Sequence, residues 1–323
     1  MPSTTILLVR FGALGDVVLT TPLVRALRRA HPHAAITFVT KARYAPILAH
    51  NPHLAGLETL GPGHALRDLA AALRRTRWDY RLDLHGSLRA RALRALVGGR
   101  WRAPPRQRVR RALLTRWGLD AIGLTVPAAE RYFGAARDLA VVPDGGPAEV
   151  RTSLEDERRA AAIAPPGTYV ALAPGAAHAT KRWPAVHWRA LARRLLAEHS
   201  QVVGVGSAHE RGLLDVPGAV DAFGLALGPT AALLRGARLV VANDSGLMHL
   251  ATAVGTPVVA LFGPTTRQLG YFPYRARALV LERELACRPC SPYGGAYCPR
   301  GDHRCMIGVT PEEVAAAVAT GVR

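Results

Sequence analysis

The sequence predicts an α/β protein in two halves, each a parallel sheet wrapped in helices. Three observations carry that expectation. At 323 residues the chain is long enough for two domains with separate cores. Strand-like and helix-like segments alternate in two rounds, the pattern of parallel strands joined by crossover helices. Turn residues follow strand-like runs in both rounds, at the carboxyl ends where open α/β sheets bind ligands.

The elements follow in order. Residues 5–10 (TILLVR) read as the first strand, an apolar run that Arg10 and Gly12 end. The turn at 11–16 (FGALGD) leads toward a helix from about Thr21, with Pro22 suited to its first turn and Pro32 closing it. Residues 35–40 read as the second strand, and a helical pattern at 65–76 leads to a third at 80–84. Turn-rich stretches at 142–147 and 165–167 bracket a charged helical segment. They place the boundary between a first domain at 1–150 and a second at 151–323, the last helix being a candidate to pack back on the first. The second round has strands at 169–173, 201–205, 239–242 and 257–262, with helices at about 184–198 and 247–254.

Composition narrows the function classes. A chain 49% hydrophobic and 20% charged is globular rather than disordered. It holds no apolar run of about 18 residues and no leader-like N-terminus, so a cytoplasmic, soluble protein is expected. The net charge is +19, and residues 1–150 hold 23 basic against 10 acidic residues. Between His85 and Leu119, ten arginines from Arg89 to Arg116 meet no acid. A solvated, compositionally biased surface is one reading; a patch for an anionic lipid or membrane face is the other. No aromatic stacking platform or nucleic-acid motif accompanies the arginines, so no nucleic-acid partner is expected.

Three loops carry candidate chemistry. At 243–246 (NDSG) a buried strand runs into a helix, whose first N–H groups and dipole favour phosphate. Ser245 adds a hydroxyl, Gly246 permits close approach, and His249 lies one turn on, facing the same way as Asp244 and Ser245. The competing reading makes Asp244 or Ser245 a helix N-cap. The loop at 174–184 (PGAAHATKRWP) holds Lys181, one of only two lysines in the chain. Its compact ammonium suits a diphosphate, so the two loops together could stabilise a departing nucleotide diphosphate without a metal. The FGALGD loop lacks a GxGxxG fingerprint, which disfavours a nicotinamide oxidoreductase. Its Asp16 is a candidate general base, with an N-cap carboxylate as the alternative.

These loops resemble a known family. LLVRFGALGDVVLTTPLVRALRRAHP, DLHGSLRA, PGAAHATKRWP and NDSGLMHLATAVGTPVVALFGPT, spread in order over residues 7–265, are similar to the bacterial heptosyltransferases, glycosyltransferase family 9. The resemblance implies the GT-B fold, two Rossmann-like domains facing across a cleft. It implies inverting, metal-independent transfer of a heptose from ADP-heptose to an inner-core sugar of lipopolysaccharide. It makes Asp16 the base and Lys181 the lysine facing the donor phosphates. Thr180, Lys181, Asp244, Ser245, Gly246 and His249 become donor-binding, and Gly15 and Arg89 acceptor-side. His85 and Thr180 depart from the family's usual glutamine and alanine, which touches substrate detail rather than the reaction. The implied partners are the nucleotide-sugar donor, an anionic glycolipid and the inner membrane face; no catalytic cofactor is implied. Another nucleotide sugar and envelope glycan, or a non-catalytic nucleotide-sugar binder, are the alternatives.

All four cysteines, Cys287, Cys290, Cys298 and Cys305, fall in one window with His303. By spacing they could hold a structural zinc. The window ACRPCSPYGGAYCPRGDHRCM also resembles the tail of the heptosyltransferase II branch, for which no metal is expected, leaving reduced thiols or local disulfides. Its distance in sequence from the three loops points to a structural role.

Overall fold

The computed structural model describes residues 4–105, 107–119 and 125–322, the side chain of residue 108 apart. They form two compact units, one within 1–106 and 128–151, the other within 107–127 and 152–323. The first runs β1 (Thr5–Val9), α1 (Leu14–Val18), α2 (Thr21–Ala30), β2 (Ala35–Lys41), β3 (Gly56–Leu60), α3 (Leu66–Arg74), β4 (Tyr80–Asp83) and α4 (Leu88–Val97). The chain then lends α5 (Arg108–Trp117) to the second unit and returns for α6 (Ala128–Arg131). A single cut near residue 150 is therefore too simple.

The first sheet is parallel, in the order β3-β2-β1-β4. Ile6, Leu7, Leu8 and Val9 are all buried, because β1 is central and covered on both faces. The chain steps outward from β1 to β2 and β3, then crosses to β4 on the other side of β1. The switch point, where a crevice opens at the strand ends, thus lies between β1 and β4. Val9 pairs in register with Asp83, so the loops that follow these two strands start side by side.

On α2, Pro22 fits the first turn, Leu23, Val24 and Leu27 are buried, and Arg28 and Arg29 face the negative end of the dipole. Arg25 on the same helix is also buried, and it is paired. Asp144 accepts from its Nε at 2.6 Å, Pro147 O accepts at 3.0 Å, and Glu149 lies 3.3 Å away. That network fastens residues 144–149 to α2.

The second unit continues with α7 (Leu154–Ile163), β5 (Tyr169–Ala173), α8 (Ala185–Ala197), β6 (Gln201–Gly206), β7 (Val220–Phe223), α9 (Leu227–Gly236), β8 (Leu239–Asn243), α10 (Gly246–Ala253), β9 (Val258–Phe262), β10 (Ala278–Glu282), α11 (Arg304–Ile307) and α12 (Pro311–Thr320). Its parallel sheet has the order β10-β9-β8-β5-β6-β7, so the switch point lies between β5 and β8. Every residue of β5, β8 and β9 is buried. Trp183 and Trp188 meet edge to face at 5.1 Å under the sheet, and Trp183 Nε1 donates to Val309 O at 2.8 Å. α12 lies on α8 and β9 of this same unit. Thr310 and Glu313 start it with a capping box.

Candidate active site

The loops singled out in the sequence flank the two switch points. In the first unit, Asp16 lies in the first turn of α1, whose N-cap is Ala13, so its carboxylate does not cap the helix. Arg10 Nη2 stands 2.7 Å from Asp16 Oδ2, and Tyr132 Oη donates to Oδ1 at 2.9 Å. Both oxygens are thereby oriented. The Arg10 guanidinium also lies 5.4 Å from the centre of the Tyr132 ring. Gly12 (φ 145°) lets the loop turn under Tyr44, whose ring a Cβ there would meet at 2.8 Å.

On the neighbouring strand end, the buried carboxylate of Asp83 accepts from the N–H groups of His85 and Gly86, and Ser87 caps α4. This turn presents His85, whose Nδ1 accepts from Phe11 N at 3.3 Å, leaving the proton on Nε2. Burial first, then the charge of Arg10, lowers the His85 pKa to about 4, so the ring is neutral at physiological pH. Gly15 is buried within α1, and Arg89 is exposed in the first turn of α4. With burial and Arg43, Arg89 helps to depress the Lys41 ammonium at the end of β2.

In the second unit, Lys181 ends a short turn after β5, and its Nζ lies 2.7 Å from Asp244 Oδ2. Thr265 Oγ1 donates to the same oxygen at 2.6 Å. The buried Asp244 carboxylate is thus engaged by Lys181 and Thr265, and it neither caps α10 nor stands open to an anion. Asn243 joins the two loops, accepting from Trp183 N at 3.2 Å and donating to Pro174 O at 2.8 Å. Ser245 occupies the N-cap position of α10 without capping it, and its buried Oγ has no hydrogen-bond partner among the described residues. Gly246 opens the helix, and His249 is buried one turn in.

Sequence reasoning gave no role to Arg10, Tyr132, Asn243 and Thr265: the partners of the last three are distant in the chain, and Arg10, six residues from Asp16, read only as the end of a strand. It also treated the cysteine window as remote. The structure brings that window onto the 174–184 loop: Thr180 Oγ1 accepts from Gly295 N at 2.8 Å, and His303 Nε2 donates to Thr180 O at 2.7 Å. The four cysteines are free thiols. Burial raises the Cys290 thiol and pushes that of Cys305 up to about 11. Among the described residues, no group of three or more His, Cys, Asp or Glu is arranged to hold a metal ion. Cys305 is buried at α11, and the other three lie on half-buried coil.

Solved structures share this architecture. Glycosyltransferase family 9 from Veillonella parvula superposes with a TM-score of 0.79 at 23% identity, covering 98% of this chain and 96% of that one. The Escherichia coli ADP-heptose lps heptosyltransferase II gives 0.76 at 22% identity, covering 98% of each. The fold is that of a GT-B glycosyltransferase. Residues 66–297 match the model of glycosyltransferase family 9 (heptosyltransferase). Lipopolysaccharide heptosyltransferase 1 of Pseudomonas aeruginosa is 30% identical over 337 residues, covering 95% of this chain and 92% of that protein. The chain therefore belongs to glycosyltransferase family 9.

Proposed function

We propose that the protein transfers a heptose from ADP-heptose to an inner-core sugar of lipopolysaccharide, by one inverting displacement with no metal ion in the chemistry. The observation that carries this reading is the arrangement at the β5–β8 switch point. There Lys181 is held by Asp244, and Ser245 keeps a buried hydroxyl, unpartnered among the described residues, at the start of α10. A cation, a hydroxyl and the free N–H groups of a helix start are the donors a departing diphosphate needs. The names of the matched relatives support heptose, ADP and lipopolysaccharide as substrates.

In this mechanism the acceptor hydroxyl attacks the anomeric carbon while Asp16 takes its proton. The bond from that carbon to the diphosphate oxygen breaks, and its electron pair leaves with ADP. Arg10 and Tyr132 fix the carboxylate, and the neutral His85 offers Nε2–H as a donor on the acceptor side. Thr180 and Asp244 act on the donor through Lys181.

Peripheral contact with an anionic membrane face is part of the proposal. Arg106 lies outside the described residues, but α5 and its flank expose Val109 (72%), Trp117 (61%) and Leu119 (57%) among arginines. Apolar side chains set in basic surroundings suit the headgroup boundary of an acidic bilayer. Among the described residues, no helix is long and apolar enough to cross a membrane.

Acceptor-dependent release of ADP from ADP-heptose, measured with excess EDTA, tests the reading. Release only in the presence of an inner-core glycolipid acceptor is expected. Donor binding with no release under any acceptor would instead mark a nucleotide-sugar binder.

A further inference from the structure

The cysteine-bearing tail touches the immediate neighbours of both partners of the Lys181–Asp244 pair. Toward Lys181, Thr180 Oγ1 accepts from Gly295 N at 2.8 Å, and both the N–H and the hydroxyl of Thr180 reach Gly295 O at 3.2 Å. His303 Nε2 donates to Thr180 O at 2.7 Å. Gly294, at φ 95°, passes so close that a Cβ would meet His178 Cβ at 2.8 Å and Lys181 Cε at 3.2 Å. Toward Asp244, the buried Arg288 side chain donates to Gly263 O and, at 2.8 Å, to Thr265 O. Cys290 N donates to Pro264 O at 3.2 Å. Thr265 is the residue whose hydroxyl holds Asp244.

Each end of the ion pair is therefore one residue away from a tail contact. His303 itself adopts φ 47°, a left-handed conformation uncommon outside glycine, and its ring is committed to Thr180. Four hydrogen bonds between the tail and the 174–184 loop thus converge on Thr180, the residue next to Lys181.

We infer that the tail from Arg288 to His303 is a positioning brace for the donor loop, with His303 and Thr180 as its key residues. It fixes the Lys181 ammonium where the donor diphosphate binds. The inference rests on the proposed role of Lys181, and its test separates the two.

The readout is the affinity for ADP relative to AMP, measured by calorimetry on the full chain. AMP lacks the second phosphate, so a general loss of packing weakens both nucleotides, whereas a displaced ammonium weakens ADP selectively. His303→Ala and Thr180→Val are each expected to weaken ADP about 3- to 10-fold, the range of one lost hydrogen bond, with AMP unchanged within about twofold. His303→Gln, whose amide N–H has comparable reach, should restore ADP binding. Thr180→Val keeps the side-chain shape and remains informative if His303→Ala folds poorly. The Lys181→Ala/Asp244→Asn double variant removes both charges together. It should lower ADP affinity selectively, and His303→Ala added to it should have no further effect.

If the double variant leaves the ADP-to-AMP ratio unchanged, the Lys181 reading fails and takes the brace with it. If it shifts the ratio while His303→Ala and Thr180→Val do not, the brace alone is overturned. Equal weakening of ADP and AMP in the tail variants likewise overturns it, since that is the mark of a merely structural contact.

Discussion

Replacing Asp16 by asparagine separates a catalytic carboxylate from a structural one. The substitution preserves shape and removes a charge. In the folded protein Arg10 reaches one carboxylate oxygen at 2.7 Å and Tyr132 the other at 2.9 Å. Asparagine keeps one acceptor oxygen and turns an NH2 toward the second donor, so one charge-assisted bond is lost. Such a bond is worth about 1.5–3 kcal/mol when fully desolvated. With the Asp16 side chain 22% exposed, water offsets part of that, and about 1–2 kcal/mol is expected. The melting temperature should therefore fall by only a few degrees. A general base contributes roughly 10²- to 10⁴-fold in rate, or about 3–5 kcal/mol of barrier. The assay is kcat at saturating donor and acceptor, alongside a thermal melt and the Kd for ADP. A kcat reduced at least about 100-fold, with ADP affinity unchanged, is expected. A kcat within about tenfold of the parent enzyme refutes the assignment of Asp16 as base.

Three further outcomes follow from the same structure. Asp144→Ala leaves the buried Arg25 guanidinium without its main partner and should cost about 3 kcal/mol in urea unfolding. Because Arg25 holds the Asp144 pKa down to about 2, below its ordinary 3.8, that stabilisation is present above about pH 4 and is lost as the pH falls toward 2. The His85 ring, lowered to about 4, should show no NMR titration between about pH 5 and 8. Its neutral form contributes stability that is full above about pH 6.5 and lost as the pH falls to 4, at most about 3 kcal/mol. A ring titrating near 6.5 would contradict its burial. Cys305, pushed up to about 11, should resist alkylation at pH 8 in the native protein and react once the chain is unfolded. Rapid native labelling at that position would show that the tail opens.

The central strands were legible because burial on both faces writes a continuous apolar run, as in Ile6–Val9 and throughout β5, β8 and β9. β3, β7 and β10 were not, and all three lie at sheet edges. Gly56–Leu60 and Val220–Phe223 carry exposed or half-buried residues among the apolar ones, so no run stands out. The loops that matter were legible through the rule that places ligands beyond strand ends, and Lys181 through the near absence of other lysines. What each side chain touches was not. Asp244 read as a donor-binding residue or a helix cap, and the engagement of its carboxylate by Lys181 and Thr265 was not visible in the sequence. Arg10 read as the end of a strand, although it orients Asp16. The cysteine window suggested zinc by spacing and remoteness by position. Tertiary packing instead laid it along the 174–184 loop, a relation that no local pattern encodes.

The most direct measurement is the anomeric configuration of the product, read by NMR from a reaction run with ADP-heptose and the inner-core glycolipid in excess EDTA. One displacement with Asp16 as base and Lys181 at the leaving diphosphate predicts a single added heptose with configuration opposite to that of the donor. Retention of the donor's configuration, or transfer that stops when metal is chelated, would contradict it.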